Sequence, residues 1–273
     1  MQKTCCRFRI HSSNFNVSEF RISHILCFNL PMKVKGLEIE KTTKGNGQDI
    51  LLLHGWGGNI ESLHGLQEQL ANKGYRVTNV SLPGFGKSEV PSEPWFMKDY
   101  ALFIEELILG LKLKKPILVG HSFGGKVGIK MVLEFPYLIS KLILINASGI
   151  KPKNSLKKLV FGTVSKILGP ILPRKLKDFG YKYIVGETDY MNSGNMKETF
   201  KNIVNEHFDV ELSQIDVPTQ IIWSEKDTYV PLWMGERLHS LIPHSSFEIV
   251  REATHGLPLT DPKGIAGIIN EKI

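Results

Sequence analysis

The chain has 273 residues, 42% of them apolar, enough to bury one large core and more economically read as a single catalytic domain with an insertion than as two domains. Its formal charge of +7 is spread along the sequence rather than gathered in a tail or stripe, which leaves no footprint for nucleic acid. All three cysteines, Cys5, Cys6 and Cys27, lie in the first 31 residues, so the rest of the chain has no means of forming a disulfide or a thiolate nucleophile, and a cytoplasmic location suffices.

No stretch approaches the roughly 20 apolar residues of a membrane helix. The early segment 22–30 is short, interrupted by polar residues and without a small-residue cleavage site, so neither a span nor a secretory signal is expected. Residues 1–31 carry no helical or strand periodicity, and the leader they form is expected to be disordered or not part of the true protein, with Met32 as the start.

From Met32 the text Met-Lys-Val-Lys-Gly-Leu-Glu-Ile-Glu reads as an opening strand, and Gly-Asn-Gly-Gln (45–48) as a turn. The apolar run 49–55 is short enough for a strand buried on both faces. A helix over 60–71 follows, then strand 75–81, helix 97–111, strand 116–121, helix 123–135 and strand 141–146. Strands alternating with helices imply right-handed crossovers and a mostly parallel sheet with helices on both faces. The alternation stops over about 151–213, where helical text dominates and a cap inserted above the sheet is expected. It resumes with strand 218–224, helix 232–241, strand 246–251 and a last helix from Pro262. The expected fold class is therefore α/β, with one domain over 32–273.

Gly-His-Ser-Phe-Gly-Gly (120–125) sits where a buried strand passes directly into a helix, the setting in which Gly-x-Ser-x-Gly marks a nucleophile elbow. Ser122 is the candidate nucleophile. In a chain with 25 glycines the pattern alone is weak, and its strand-to-helix context is what carries it. A serine hydroxyl needs a neutral imidazole beside it, and the imidazole needs an orienting carboxylate. His255 follows the last predicted strand, at the carboxyl edge where active sites of such sheets collect. Of the other histidines, His11 and His24 lie in the leader, while His64, His207, His239 and His244 fall on helices or their flanks, where surface or capping roles fit. Asp227 follows the strand ending at Ser224, and the order Ser122, Asp227, His255 is the one such folds use. Glu225 is closer to the strand end and reads as solvated. Asn146 ends the preceding core strand, and its being an amide favours Asp227 as the acid.

His-Gly-Trp-Gly-Gly (54–58) follows the first buried strand and suits the oxyanion side of such a site. Backbone N–H groups of Trp56 and Phe123 are the expected oxyanion donors, with glycines letting the main chain curve close to substrate. Leu-Pro-Gly-Phe-Gly-Lys-Ser (82–88) fails as a phosphate loop, because Ser81 stands where the Walker pattern needs glycine, and it reads as a turn. No ligand cluster suggests a metal, and no cofactor is expected.

With these residues in place, the chain from Met32 onward resembles the α/β-hydrolase superfamily in its capped, single-domain serine esterase branch. The segments His-Gly-Trp-Gly-Gly, Leu-Pro-Gly-Phe-Gly-Lys-Ser, Gly-His-Ser-Phe-Gly-Gly, Trp-Ser-Glu-Lys-Asp and Ala-Thr-His-Gly occur in the family's order. The resemblance implies a cofactor-independent site under a helical cap and carries the nucleophile to Ser122, the acid to Asp227, the base to His255 and the oxyanion donors to Trp56 and Phe123. Serine at 122 separates the chain from dehalogenase and epoxide hydrolase relatives, which use aspartate there. His-Gly-Trp-Gly is also similar to the corresponding segment of pimeloyl-carrier methyl ester esterases. Ser81 departs from the family pattern, which has Asp before Leu-Pro-Gly-Phe-Gly.

The expected activity is hydrolysis of a carboxylic ester of a small acyl substrate through an acyl-enzyme. A C–C bond hydrolase, thioesterase, lactonase, cofactor-free perhydrolase or a ligand-binding signalling protein would carry the same residues. Residues 151–182 hold nine Lys or Arg and one acid, Asp178, with Leu156, Leu159, Val160, Val164, Ile167 and Leu168 at helical spacing. Two readings of that basic face stay open: solvation, or contact with an acidic carrier protein or anionic surface.

Overall fold

The computed structural model describes residues 32–152 and 194–272. The expected leader, most of the expected cap, its basic helix and all three cysteines lie outside the described residues.

A small hairpin opens the described chain, β1 (Met32–Val34) pairing antiparallel with β2 (Leu37–Ile39). One continuous strand was expected here. Lys35 and Gly36 both take positive φ, at 50° and 79°, the backbone of a tight two-residue turn whose twist matches the flanking strands. The hairpin packs on α2 (Met97–Gly110), where Glu106 accepts from the Lys35 N–H at 2.7 Å.

The central sheet has seven strands in the order β3-β5-β4-β6-β7-β8-β9. These are β3 (Lys41–Lys44), β4 (Asp49–Leu53), β5 (Arg76–Val80), β6 (Ile117–His121), β7 (Lys141–Ile145), β8 (Thr219–Ser224) and β9 (Ser246–Val250). Only the edge strand β3 runs antiparallel; the other pairings are parallel. Polar Lys-Thr-Thr-Lys had no signature in the sequence reading, because a half-exposed edge strand has no buried run to display.

Side chains of the central strands alternate between two cores, as a period of two demands. Leu51, Leu53, Leu118, Leu142, Leu144, Ile221 and Trp223 face one side; Ile50, Leu52, Ile117, Val119, Ile143, Ile145 and Ile222 face the other. The first side is covered by α2, α3 (Phe123–Glu134) and the helix Leu232–Leu241. The second is covered by α1 (His64–Asn72) and the final helix Pro262–Glu271. With both faces covered, strands such as Asp-Ile-Leu-Leu-Leu are buried at every position.

Between β7 and β8 the described residues hold α4 (Lys197–Asn205), flanked by 3-10 turns at Gly194–Met196 and Glu211–Gln214. Numbering the later helices onward, α5 is Leu232–Leu241, α6 is Leu257–Thr260 and α7 is Pro262–Glu271. Among the described residues no helix is long and apolar enough to cross a membrane.

Candidate active site

Five parallel strands, adjacent in the sheet, deliver residues to one carboxyl edge: β4 ends before His54, β6 before Ser122, β7 before Asn146, β8 before the Asp227 turn and β9 before the His255 loop. Topology alone brings together side chains up to 133 positions apart.

The passage from β6 into α3 turns at Ser122, which has φ 53° and ψ −112°. This left-handed backbone is costly for a non-glycine residue and holds only where the surroundings over-determine it. They do so here. The Ser122 N–H continues the ladder to the Ile145 carbonyl at 3.0 Å, and the Ser122 carbonyl accepts from Lys126 and Ser148 N–H groups, both at 3.2 Å. A Cβ on Gly120 would lie 2.4 Å from the Gly124 carbonyl oxygen, and one on Gly124 only 2.2 Å from that of Leu53. Both glycines are therefore demanded by backbone against backbone, with no side chain free to yield.

Ser122, His255 and Asp227, chosen separately from the sequence, stand in one hydrogen-bonded row. His255 Nε2 is 3.1 Å from Ser122 Oγ, and His255 Nδ1 is 2.6 Å from Asp227 Oδ2. The other Asp227 oxygen accepts from the Tyr229 and Val230 N–H groups at 2.8 and 2.9 Å, so the buried carboxylate has partners on both oxygens. With the carboxylate at Nδ1, the imidazole proton belongs there and Nε2 is left to accept from the serine. Glu225 is exposed and accepts from the Glu252 N–H at 2.9 Å, away from the row. The exposed Tyr229 ring lies 5.0 Å from the His255 ring, centroid to centroid.

The loop after β4 comes beside the serine. A Cβ on Gly55 would lie 3.3 Å from Ser122 Cβ, so a larger residue would press on Ser122. His54 anchors this loop. Its Nε2 accepts from the Leu82 N–H at 2.9 Å, which puts the proton on Nδ1, donated to the Gly55 carbonyl at 2.7 Å. Burial pushes its pKa down to about 4, so it is a neutral strut at ordinary pH. The Trp56 ring packs edge-on to Phe85 and Phe123, at 4.7 and 5.2 Å, and lies 5.0 Å from Phe200 of α4.

Helix α4 is tied to α3 by Lys126, whose buried ammonium donates to the Ile203 carbonyl in the last turn of α4, where helix carbonyls lack intrahelical donors. Burial lowers its pKa to about 8.

Ser81 departs from the pattern without loss of the local fold. Its hydroxyl donates to Glu40 Oε2 at 2.7 Å and accepts from the Ile60 N–H at 3.1 Å, while the same Glu40 oxygen accepts from the Lys87 N–H at 2.9 Å. Glu40 supplies the carboxylate that the strand end lacks, and residues 82–88 form the expected turn.

Three residues of this edge had no role in the sequence reading. His54, His121 and Ser224 lie inside the motifs, but the partners that tie them across the edge, Leu82, His255 and Asn146, are 28, 134 and 78 positions away, so no local spacing marks those bonds.

The model of the α/β-hydrolase fold family matches residues 50–205. The chain belongs to that family. It is similar in structure to an esterase from Exiguobacterium antarcticum, at 25% identity and TM-score 0.70, over 89% of this chain and 97% of the esterase. It is 27% identical over 243 residues to the Bacillus subtilis hydrolase YugF, covering 80% of this chain and 87% of that one. Over a shorter 124 residues it is 37% identical to a pimeloyl-[acyl-carrier protein] methyl ester esterase of Aeromonas hydrophila, covering 40% of this chain and 45% of the relative.

Proposed function

We propose that this hydrolase-family protein cleaves a carboxylic ester of a small molecule through an acyl-enzyme. The observation that carries the reading is the row Asp227, His255, Ser122 ending on a serine held in strained backbone. Ser122 Oγ attacks the ester carbonyl carbon as His255 Nε2 takes its proton. The carbon–oxygen bond to the leaving alcohol then breaks, and the alcohol departs with that proton. Water, deprotonated by the same nitrogen, attacks the acyl carbon; the acid leaves, and Ser122 regains its proton from His255.

Each tetrahedral intermediate carries its charge on the former carbonyl oxygen. The N–H groups of Trp56 and Phe123 are assigned as its donors, supported by the approach of the Gly55 main chain to Ser122 and by the packing of the two rings. Residues 151–213 are read as a cap over this edge, with Phe200 on Trp56 as the supporting contact.

A panel of p-nitrophenyl esters of rising acyl length, run beside a fluorophosphonate label, tests the proposal. Turnover with a chain-length optimum and stoichiometric labelling of Ser122 are expected. A chain that hydrolyses none of the esters and takes no label is not a serine esterase.

A further inference from the structure

Asn146, at the end of β7, lies between the strand that carries Ser122 and the strand that leads to Asp227. It is fully buried and has φ 45°. Its partners settle which amide atom is which. The Ser224 N–H, able only to donate, lies 2.8 Å from Oδ1. Nδ2 faces the Ser224 hydroxyl at 2.8 Å and two main-chain carbonyls, His255 at 3.3 Å and Thr254 at 3.5 Å. The Ser224 hydroxyl passes its own proton to the Thr254 carbonyl at 2.7 Å. From the other side, His121 Nε2 reaches the His255 carbonyl at 2.9 Å; a carbonyl only accepts, so that nitrogen carries the proton.

The main-chain carbonyl of His255 is thus gripped by two side chains, one from the residue preceding Ser122 and one from the end of the next strand. We infer that Asn146 and His121 are positioning residues, which hold the His255 main chain so that its imidazole stays within hydrogen-bond range of Ser122. The inference rests on the serine-hydrolase reading and deepens it.

Physical chemistry dictates the residue type. The site at 146 must accept from one N–H and donate to a hydroxyl and two carbonyls, and only an amide of this length does both without charge. A carboxylate there would set negative oxygens against the Thr254 and His255 carbonyls, which disfavours an acid at the end of this strand and leaves that role to Asp227. Positive φ is a separate demand that glycine also meets, so glycine isolates the amide's contribution. The titratable groups around the clamp are His121, Asp227 and His255, with His54 next to them; burial and the neighbouring His255 hold His121 neutral, at a pKa of about 4.

The test uses the full chain with a p-nitrophenyl ester and the fluorophosphonate label. Asn146→Gly should lower kcat and the labelling rate by about 10- to 100-fold with KM little changed, since misplacing a catalytic group by an ångström costs on that order. Ser224→Ala, which leaves every backbone ladder bond in place, should lose less in the same direction. His121→Gln combined with Asn146→Gly should lose less than the product of the single losses, because both side chains meet at one carbonyl. Asn146→Asp should move the acid limb of the kcat/KM profile to higher pH, as an added negative charge favours imidazolium. Wild-type kcat and labelling in folded Asn146→Gly, with Ser224→Ala also unaffected, overturn the clamp while leaving the esterase reading intact. Loss of thermal stability with unchanged kcat and an unmoved acid limb shows a structural role only. A wild-type chain inert to ester and label overturns both.

Discussion

The two halves of the site are held by different physics. On the Ser122 side, loop 54–58 and the turn at Ser122 are shaped by close backbone approach and braced by buried imidazoles, His54 on Leu82 and His121 on the His255 loop. On the other side, Asp227 and His255 hang from the ends of β8 and β9, joined by amides and hydroxyls: the Tyr229 and Val230 N–H groups, Asn146 and Ser224. Steric demands leave marks in local sequence, whereas hydrogen bonds between distant segments leave almost none. The first side also contains groups that titrate in mild acid, and the braces of the second do not.

The largest effect separates nucleophile from scaffold. Ser122→Ala should abolish labelling and reduce kcat by about 10⁶, leaving only what binding and oxyanion donors provide. Full activity in that variant would end the mechanism. On the proposed mechanism, Asp227→Asn should cost on the order of 10⁴ in kcat, because the amide disturbs the tautomer and no longer stabilises imidazolium. Glu225→Gln should stay near wild type, since its exposed carboxylate accepts from the Glu252 N–H, away from the row. The reverse ranking, measured in one assay, would mean that the wrong carboxylate had been assigned.

A steric test of the Ser122 side is Gly124→Ala. Its methyl would sit 2.2 Å from a main-chain oxygen of β4, so the elbow or the strand must move. A loss above about 3 kcal/mol, read from the urea midpoint, is expected. An Ala variant as stable as wild type would show that the elbow is not sterically locked.

The smallest and most graded effect is acid sensitivity. His54 and His121 titrate near 4 in the folded chain and near 6.5 when unfolded. Between those values the unfolded state binds more protons, so stability rises with pH across the window and is lost as pH falls through it. Summed over that window, each imidazole contributes on the order of 3 kcal/mol. Urea unfolding at pH 7, 5.5 and 4.5 should show the decline, and His54→Gln should flatten it, whatever its effect at neutral pH. An unchanged slope in the variant would remove His54 from the account.

The strand and helix alternation, the double-sided burial of the sheet and the elbow at Ser122 were all readable from the chain, because unbroken apolar runs and obligatory glycines are properties of contiguous residues. The turn at Lys35 and Gly36 was not, since Lys-Gly is a weaker hairpin signal than Asn-Gly or Asp-Gly. Asp227 and His255 were placed by topology, each in a loop after a core strand, and the row they form with Ser122 follows from parallel strands sharing one carboxyl edge.

Only the tertiary structure decided what holds that row in place. Asn146 appeared in the sequence only as an amide at the end of a core strand, and folding turns it into a donor to the His255 carbonyl from 109 positions away. Ser81 appeared as a departure from a family pattern, and folding pairs it with Glu40, 41 positions earlier. Residue types and local periodicity are written along the chain; the partners of a buried amide, hydroxyl or imidazole come from whichever distant segment the sheet sets beside it, and no spacing in one sequence encodes that neighbour.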